Sequence, residues 1–389
     1  MDRLTNTVRP YAWGSPTALP TLLGEEPTGE PQAEMWIGAH PGAPSRTPRG
    51  PLDAVIAAAP ETELGPGVAA RFGPRLPFLL KLLAAEEPLS LQVHPDLDRA
   101  REGYAAEEEA GVPVDAPERT YRDASDKPEL ICALTPFEGL CGFREPLDAA
   151  RLLEGLGVEA LEPYVELLRG HPAPDALREA LTAILQGGSG VLAPVVEEAS
   201  AAAGRLGGEW AYLAGIARHH PGDPGVIAAA LLHHVRLLPG EALFLGAGVP
   251  HAYLHGLGVE IMANSDNVLR CGLTSKHVDV PELLRVVRFE PTPPAVQRPS
   301  AGREGAREYA AATDAFRLDL HTVAPGGGPY DLTSRTAQVL LCTQGSVRVG
   351  AGAGDVEILG PGRSVYVPAG EHTTVTGDGD VFRATVPVV

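Results

Sequence analysis

The sequence predicts a mainly β protein with a helical insertion: one β domain interrupted by helices, then a second β domain. Its 45 glycines and 38 prolines among 389 residues favour a fold rich in turns. Short apolar runs typical of strands dominate both ends of the chain, whereas the middle has a helical period. The predicted boundaries are 1–145 and 236–295 for the two parts of the interrupted β domain, 146–235 for the insertion and 296–389 for the last domain.

Residues 76–83 and 89–94 are the clearest strand candidates of the first part. In the second run, apolar and polar residues alternate, so Gln92 and His94 point to the same face. Side chains at i and i+2 on a strand can bring two ligands to one metal. Taken alone, a solvent-facing polar strand face explains this pair more simply.

Two further candidate ligands each follow a proline. Glu129 comes after Pro128 at the start of a predicted strand, and His251 comes after Pro250 beyond the strand that begins near residue 241. In isolation, Glu129 is better explained as part of an exposed acidic turn. Together with Gln92 and His94, however, the two would supply two nitrogen and two oxygen donors. Such a set suits Zn²⁺ with one open position and lacks the thiolates of a structural site.

The middle of the chain has an apolar stripe of helical spacing. Leu177, Leu181 and Ile184 are spaced by four and three residues, and Asp175 is a plausible N-cap before them. The glycine-rich segment 187–190 is expected to end that helix. Further helices are predicted over 194–205 and 210–217, followed by a turn with solvent-facing histidines, His219 and His220.

The last part of the chain returns to short strands separated by glycine and proline turns. One phrase occurs twice: Pro-Gly, a strand, a proline and then a histidine, ending at His251 and again at His372. This phrase is typical of cupin-type jelly rolls, so we predict two related barrels. The strands before His372 offer no metal-binding partner on the same face, and the C-terminal barrel is therefore expected to be metal-free.

Composition narrows the function further. The 31 basic and 50 acidic residues give a net charge of −19, which disfavours nucleic acid as a partner. The four cysteines form no CxxC pair, which fits a reducing compartment. No apolar run has the length of a signal peptide or a membrane span. We expect a cytoplasmic protein, without a membrane partner and monomeric.

An acidic protein needs a local basic cluster to hold an anionic substrate. Arg270 and nearby Lys276 could supply one, although a salt bridge would explain Arg270 equally well. Phosphate-binding loops of the Walker type, the dinucleotide-binding fingerprint and HExxH are all missing from the sequence.

Taken in order, these segments resemble the type I mannose-6-phosphate isomerase (phosphomannose isomerase) family of the cupin superfamily. The resemblance covers roughly residues 9–285. It is carried by Tyr11-Ala12-Trp13-Gly14, Ala33-Glu34-Met35-Trp36-Ile37-Gly38-Ala39-His40-Pro41, Pro77-Phe78-Leu79-Leu80-Lys81, Leu89-Ser90-Leu91-Gln92-Val93-His94-Pro95, Lys127-Pro128-Glu129, Pro250-His251-Ala252-Tyr253-Leu254 and the run from Val259 to Lys276.

The resemblance implies one zinc per chain, a sugar phosphate substrate and an essential arginine at Arg270. It implies aldose–ketose isomerisation of mannose 6-phosphate and fructose 6-phosphate by proton transfer between C1 and C2, through an enediolate that zinc would stabilise. The general base is left open among Lys127, Glu260 and Asp266. The implied zinc ligands are Gln92, His94, Glu129 and His251, and the implied substrate-binding positions are Lys81, Ser90, Tyr253 and Lys276.

Two positions depart from the family pattern. Asp126 stands where a histidine is usual, which bears on the pH dependence of the site, and Ser275 replaces a proline. Two other classes share the predicted fold: a metal-dependent cupin oxygenase and a non-catalytic sugar-binding cupin. Gln92 as a fourth ligand argues against the oxygenase, and the presence of every expected site residue argues against the binding protein.

Overall fold

The computed structural model describes residues 1–301, 306–352 and 354–387. Helices and strands occupy about equal shares of these residues, so the fold is mixed rather than mainly β. The longest unpredicted helical segment is residues 52–72, where three short helices follow one another. Two of them begin at Pro60 and Pro66, a position where the missing proline N–H is not needed for a helical hydrogen bond.

The α-helices of the described chain are Ala18–Leu23 (α1), Leu52–Ala58 (α2), Pro60–Leu64 (α3), Pro66–Phe72 (α4), Leu97–Glu109 (α5), Pro146–Gly155 (α6), Glu162–Gly170 (α7), Ala173–Leu206 (α8), Ala211–His219 (α9), Gly225–Ala229 (α10) and Val280–Val286 (α11). Helices α6 to α10 lie in the region predicted as the insertion.

Helix α8 combines two of the predicted helices. The chain turns at Gly188, whose φ of 63° and ψ of 167° are not helical, and then continues as a helix through Pro194. By length and composition alone α8 could cross a membrane. Leu177 and Leu181 of this helix are nevertheless buried in the apolar core of the helical region, as their spacing predicted.

The strands of the described chain are Asp2–Arg3 (β1), Thr7–Arg9 (β2), Glu34–Gly38 (β3), Arg46–Thr47 (β4), Gly50–Pro51 (β5), Phe78–Ala85 (β6), Leu91–Val93 (β7), Glu129–Ala133 (β8), Phe137–Phe143 (β9), Leu232–Leu237 (β10), Ala242–Leu245 (β11), His251–Ala263 (β12), Leu269–Gly272 (β13), Ser300–Ala301 (β14), Ala306–Tyr309 (β15), Arg317–Val323 (β16), Tyr330–Asp331 (β17), Gln338–Ala351 (β18), Asp355–Leu359 (β19), Ser364–Val367 (β20) and Thr373–Thr385 (β21).

These strands form two large antiparallel sheets and one small hairpin. The ten-stranded sheet contains β2, β3 and β6 to β13, and the nine-stranded sheet contains β1 and β14 to β21. Strand β12 is central to the first sheet because it pairs with β6, β7, β8 and β9. This arrangement brings residues that are far apart in the sequence to the two faces of one long strand.

The two large sheets pack against each other. Leu80 and Ile261 from the ten-stranded sheet share one apolar cluster with Leu318 and Phe382 from the nine-stranded sheet. Each fully buried side chain of this kind contributes about 1.5–3 kcal/mol. Strand β6 is buried along its whole length because both of its faces are covered, and this explains its nearly continuous apolar sequence.

The chain begins in the sheet where it ends. Strand β1 pairs with β20, and the amino group of Met1 lies 2.8 Å from the Glu371 carboxylate. The first residues therefore belong to the C-terminal sheet, an attachment that local sequence patterns do not predict.

Candidate metal centre and active site

Three buried side chains meet where β7, β8 and β12 come together. The ligand atoms of His94, Glu129 and His251 all lie within 4.8 Å of one another. Nε2 of His94 is 3.3 Å from one oxygen of Glu129, and Nε2 of His251 is 3.4 Å from the other. The sequence placed all three among its four predicted zinc ligands.

Both imidazoles are held with a free nitrogen toward the carboxylate. Nδ1 of His94 donates to the carbonyl oxygen of Asn267 at 2.7 Å, and Nδ1 of His251 donates to that of Val249 at 2.9 Å. The two Nε2 atoms are buried and have no hydrogen-bond partner among the described residues. In metal-binding histidines, one ring N–H usually donates to a backbone carbonyl, and the other nitrogen is then unprotonated and free to bind the metal.

Gln92 occupies the neighbouring position in the sheet. It lies opposite His251 on β12 and opposite Arg270 on β13. Side chains directly opposite each other across antiparallel strands share a face. The register therefore places the Gln92 amide between the histidine and the arginine, on the face that carries both.

The charge of Glu129 is stabilised by its surroundings. Burial by itself would raise the pKa of Glu129, but its neighbours, first of all the Lys127 ammonium, outweigh burial and hold its pKa well below the usual range. The Nζ of Lys127 lies 3.0 Å from a Glu129 oxygen. Burial lowers the pKa of His94 to about 4, so its ring is neutral at pH 7. A neutral imidazole and an ionised carboxylate are the forms that bind a metal.

The donor set fits zinc. Two imidazole nitrogens and one carboxylate, with an amide oxygen from Gln92 within reach of the same face, leave room for one more ligand. The two buried Nε2 atoms without partners are the observation that favours a metal here, because a buried polar atom without a partner is costly.

A second buried network lies beside the metal cluster. Lys81 is 3.0 Å from Glu260 and 3.4 Å from Glu34, and Glu34 accepts a hydrogen bond from the Trp36 indole at 2.7 Å. Burial alone would lower the pKa of Lys81, but the nearby carboxylates raise its pKa above the usual range. Burial raises the pKa of Glu260. The sequence analysis predicted Lys81 and Glu260 as site residues, but it did not assign such a role to Glu34.

These networks open into one cavity of about 710 Å³. Ten of the twelve predicted site residues line it, and the remaining two, His94 and His251, lie in the adjoining metal cluster. Tyr253 is buried in the wall, and burial together with the negative charges of Glu260 and Glu129 raises the pKa of its hydroxyl well above the usual range. Ser90 is half-buried in the same wall.

Two cations that line the cavity, Arg270 and Lys276, differ from Lys81 and Lys127 in having no carboxylate partner among the described residues. No ion pair joins Arg270, Lys276 or their neighbour Arg122 to a carboxylate among the described residues. Burial and the charge of Arg122 lower the pKa of Arg270, and burial together with both arginines lowers the pKa of Lys276. Cations without acidic partners, in a protein that is acidic overall, are chemically suited to holding an anion. The salt bridge that could have explained Arg270 is absent there, and the sequence analysis did not identify Arg122.

Asp266 lies at the rim of the cavity, with its side chain about half exposed. Its backbone N–H donates to Asp123 at 2.8 Å. The neighbouring Asn267 is fully buried and accepts hydrogen bonds from the backbone of Arg122 and Asp123. The carbonyl oxygen of Asn267 also accepts a hydrogen bond from the His94 ring, so Asn267 connects the loop that contains Arg122 to the metal cluster.

Asp126, the departure from the family pattern, does not line this cavity. It lines a separate cavity of about 410 Å³ together with Arg75 and Arg101. Burial raises the pKa of its carboxyl. The side chain that follows it, Lys127, points to the metal cluster instead, as adjacent residues of an extended segment do.

The helical region reaches the cavity through two residues that were expected to face solvent. His219 is exposed but lies 3.5 Å from Glu87, and His220 is half-buried beside the Pro88 carbonyl, at 2.9 Å. Both line the cavity wall. Helical periodicity does not identify such residues, because they lie at the C-terminal end of α9 and directly after it.

Comparisons with known proteins agree with this geometry. Residues 1–146 match the family described as phosphomannose isomerase type I, catalytic domain. The chain is 39% identical to the mannose-6-phosphate isomerase of Escherichia coli (strain K12), over 98% of this chain and 99% of that protein. It is 32% identical to the mouse enzyme of the same name, over 98% and 97%.

Solved structures give the same result. A crystal structure of mannose 6-phosphate isomerase from Salmonella typhimurium, bound to substrate and a zinc atom, superimposes with a TM-score of 0.90 at 36% identity and covers both chains completely. A mutant phosphomannose isomerase from the same organism gives a TM-score of 0.93 at 37% identity, also over the full length of both chains.

The fold and the buried His–Glu–His cluster define a metal-binding protein of the sugar phosphate isomerase class. The chain belongs to the type I mannose-6-phosphate isomerase family.

Proposed function

We propose that this protein is a zinc-dependent aldose–ketose isomerase that interconverts mannose 6-phosphate and fructose 6-phosphate. The observation that carries this function is the buried cluster of His94, Glu129 and His251, with both Nε2 atoms free to bind a metal. Membership of the family and full-length similarity to a structure solved with substrate and zinc support the same substrate and metal.

The proposed zinc ligands are Gln92, His94, Glu129 and His251. When bound, zinc supplies a Lewis acid that favours negative charge on the oxygens at C1 and C2. Lys127 and Glu129 are in contact, with Nζ 3.0 Å from a carboxylate oxygen. We assign Lys127 the role of keeping Glu129 ionised, and not that of a base.

Two carboxylates are suited to moving protons. Asp266 is accessible from the cavity, and its interaction with His40 lowers its pKa, so it can accept a proton. Glu260 is buried with a raised pKa, so it binds a proton more readily than Asp266 does. A pair of carboxyl groups whose surroundings separate their pKa values is a common acid–base arrangement. Lys81 is fixed as a cation between Glu34 and Glu260 and is assigned to substrate binding.

The phosphate is assigned to the unpaired cations. Arg270 shares a face with Gln92, which places the guanidinium near the metal cluster. Lys276 and Arg122 lie close enough to act on it electrostatically. A phosphate seated among these groups would relieve their mutual repulsion. Ser90 and Tyr253 are left to contact sugar hydroxyls.

The chain architecture follows the family. We propose that residues 1–145, except the first strand β1, and residues 236–295 form the catalytic cupin barrel. Residues 146–235 would be an inserted helical domain, and 296–389, joined by β1, would be a second, metal-free cupin barrel. The antiparallel sheets and the apolar cluster inside each half support this division. We further propose that the protein works as a monomer in the cytoplasm, as befits an enzyme of soluble sugar phosphates.

A coupled assay tests the function. Purified protein is given mannose 6-phosphate, and fructose 6-phosphate is measured with and without a chelator, followed by re-addition of zinc. We expect about one zinc per chain and chelator-sensitive turnover that zinc restores. Oxygen consumption without isomerisation would instead indicate an oxygenase, and sugar phosphate binding without turnover would indicate a binding protein.

A further inference from the structure

His40 is a buried histidine that belongs neither to the metal cluster nor to the cation site. It follows β3, is 5% exposed and stands edge-on to Trp36, with ring centroids 4.8 Å apart. Its Nε2 lies 3.4 Å from Oδ1 of Asp266. It therefore connects the cavity rim to the first strands of the chain.

The ring is held in one tautomer. The backbone N–H of Gly42 donates to Nδ1 at 3.0 Å, so Nδ1 carries the lone pair and the proton lies on Nε2. Gly42 permits this contact, since a Cβ at that position would lie only 3.1 Å from Nδ1. The Nε2–H of His40 consequently lies on the side of the ring that is 3.4 Å from the Asp266 carboxylate.

Asp266 is held from two sides. His40 contacts its carboxylate, and Asp123 accepts its backbone N–H. The interaction with His40 lowers the pKa of its carboxyl most, and the charges of Lys127 and Arg122 lower it further, against the effect of burial. Oδ2 has no hydrogen-bond partner among the described residues, which leaves it available to a ligand in the cavity.

We propose that His40 is a positioning residue that orients the Asp266 carboxylate for proton exchange with the substrate. His40 itself does not touch the substrate: its two ring nitrogens are committed to Gly42 and to Asp266. This inference rests on the proposed isomerase function. Within that function, it says that His40 fixes the orientation of the Asp266 carboxylate. A proton that Asp266 takes from the substrate returns to the substrate within the same turnover, so no further reactant is needed.

A double-mutant cycle tests the proposal in the zinc-loaded enzyme. His40→Leu should lower kcat about 10-fold or more, a part of the 10²–10⁴-fold that positioned proton transfer supplies. In an Asp266→Asn background the same change should alter kcat less than about two-fold, because coupled residues are not additive. His40→Gln keeps an N–H donor and should recover part of the loss. His171→Leu removes an exposed histidine that pairs with Glu179 away from the cavity and is the matched control.

The pH profile gives a readout that packing alone would not change. Removing the His40 contact should raise the pKa of Asp266 and move the acid limb of the kcat/KM profile to higher pH, with zinc content unchanged. Equal losses of kcat in both backgrounds, or an acid limb that stays in place, would overturn the proposal. If His40→Leu does not fold, His40→Gln is compared in the same cycle. An inactive wild-type protein would contradict the isomerase function itself, which distinguishes the two failures.

Discussion

Lys81 lies directly opposite Glu260 across the β6–β12 pair, and its ammonium is 3.0 Å from the Glu260 carboxylate. Both side chains are buried, in a strand pair whose other positions are mostly apolar. A buried pair of this kind contributes little net stability, but breaking it leaves an uncompensated charge. Stability alone therefore does not explain a charged pair at this position, which agrees with the role in the cavity proposed for both residues.

Lys81→Met should destabilise the protein more than Glu260→Gln. The methionine leaves Glu260 and Glu34 buried without their cation, a change that typically costs about 3–5 kcal/mol. Urea unfolding of the zinc-loaded protein measures the loss. The double variant, which also removes the Glu260 charge, should recover part of it. A Lys81→Met protein as stable as wild type would show that the two carboxylates are not both charged.

Glu129→Ala should lose zinc and turnover together. It removes the oxygen ligand that both histidines face, and loss of one ligand weakens a metal site strongly. Zinc content by atomic absorption and the isomerase assay measure the two effects. Glu260→Gln, a nearby buried carboxyl outside the ligand set, is the matched control and should keep its zinc. A Glu129→Ala protein that retains a full equivalent would mean that the ligand set is wrong.

Arg270→Ala should lose rate but not fold. Its guanidinium shares a face with Gln92, has no acidic partner among the described residues and is half-buried. Losing one preorganised charge of this kind typically costs about 10²–10³ in kcat. Zinc content and the melting temperature should stay at wild-type values. Arg270→Lys keeps the charge but not the planar fork and should remain poor.

Arg101→Ala is the control for Arg270, because Arg101 lies on the separate cavity beside Asp126. It should leave turnover unchanged. Normal turnover in Arg270→Ala would refute its assignment, and loss of zinc would make Arg270 a structural residue.

Sequence patterns predicted the local parts of this site and missed the parts that the fold assembles. The two-residue period of β7 was enough to place Gln92 and His94 on one face. Glu129 and His251 were candidate ligands from their positions after prolines, but an exposed acidic turn explained Glu129 better until the family resemblance assigned it. Glu34, His40 and Arg122 could not be predicted, because β3 and the loop before Lys127 reach the cavity only through pairings with distant strands.

The C-terminal sheet contains a buried histidine that should make stability depend on pH. His321 is 2% exposed, and neither ring nitrogen has a hydrogen-bond partner among the described residues. Burial and the charges of Arg383 and Arg317 lower its pKa to about 4. The folded protein therefore holds this ring neutral at pH values where the unfolded chain, with a pKa of about 6.5, is protonated.

The sign follows from proton binding. Below about pH 6.5 the unfolded state binds more protons than the folded state at this position, so stability falls as pH decreases, and the loss is complete near pH 4. A shift of this size corresponds to at most about 3 kcal/mol. We expect His321→Leu to flatten the decline in unfolding free energy between pH 7 and pH 5, measured by urea unfolding at several pH values. His171→Leu, at an exposed position, should leave the slope unchanged. If His321→Leu keeps the wild-type slope, the ring is not held neutral in the folded protein, and the acid sensitivity arises elsewhere, for instance at His94, whose pKa is also lowered by burial.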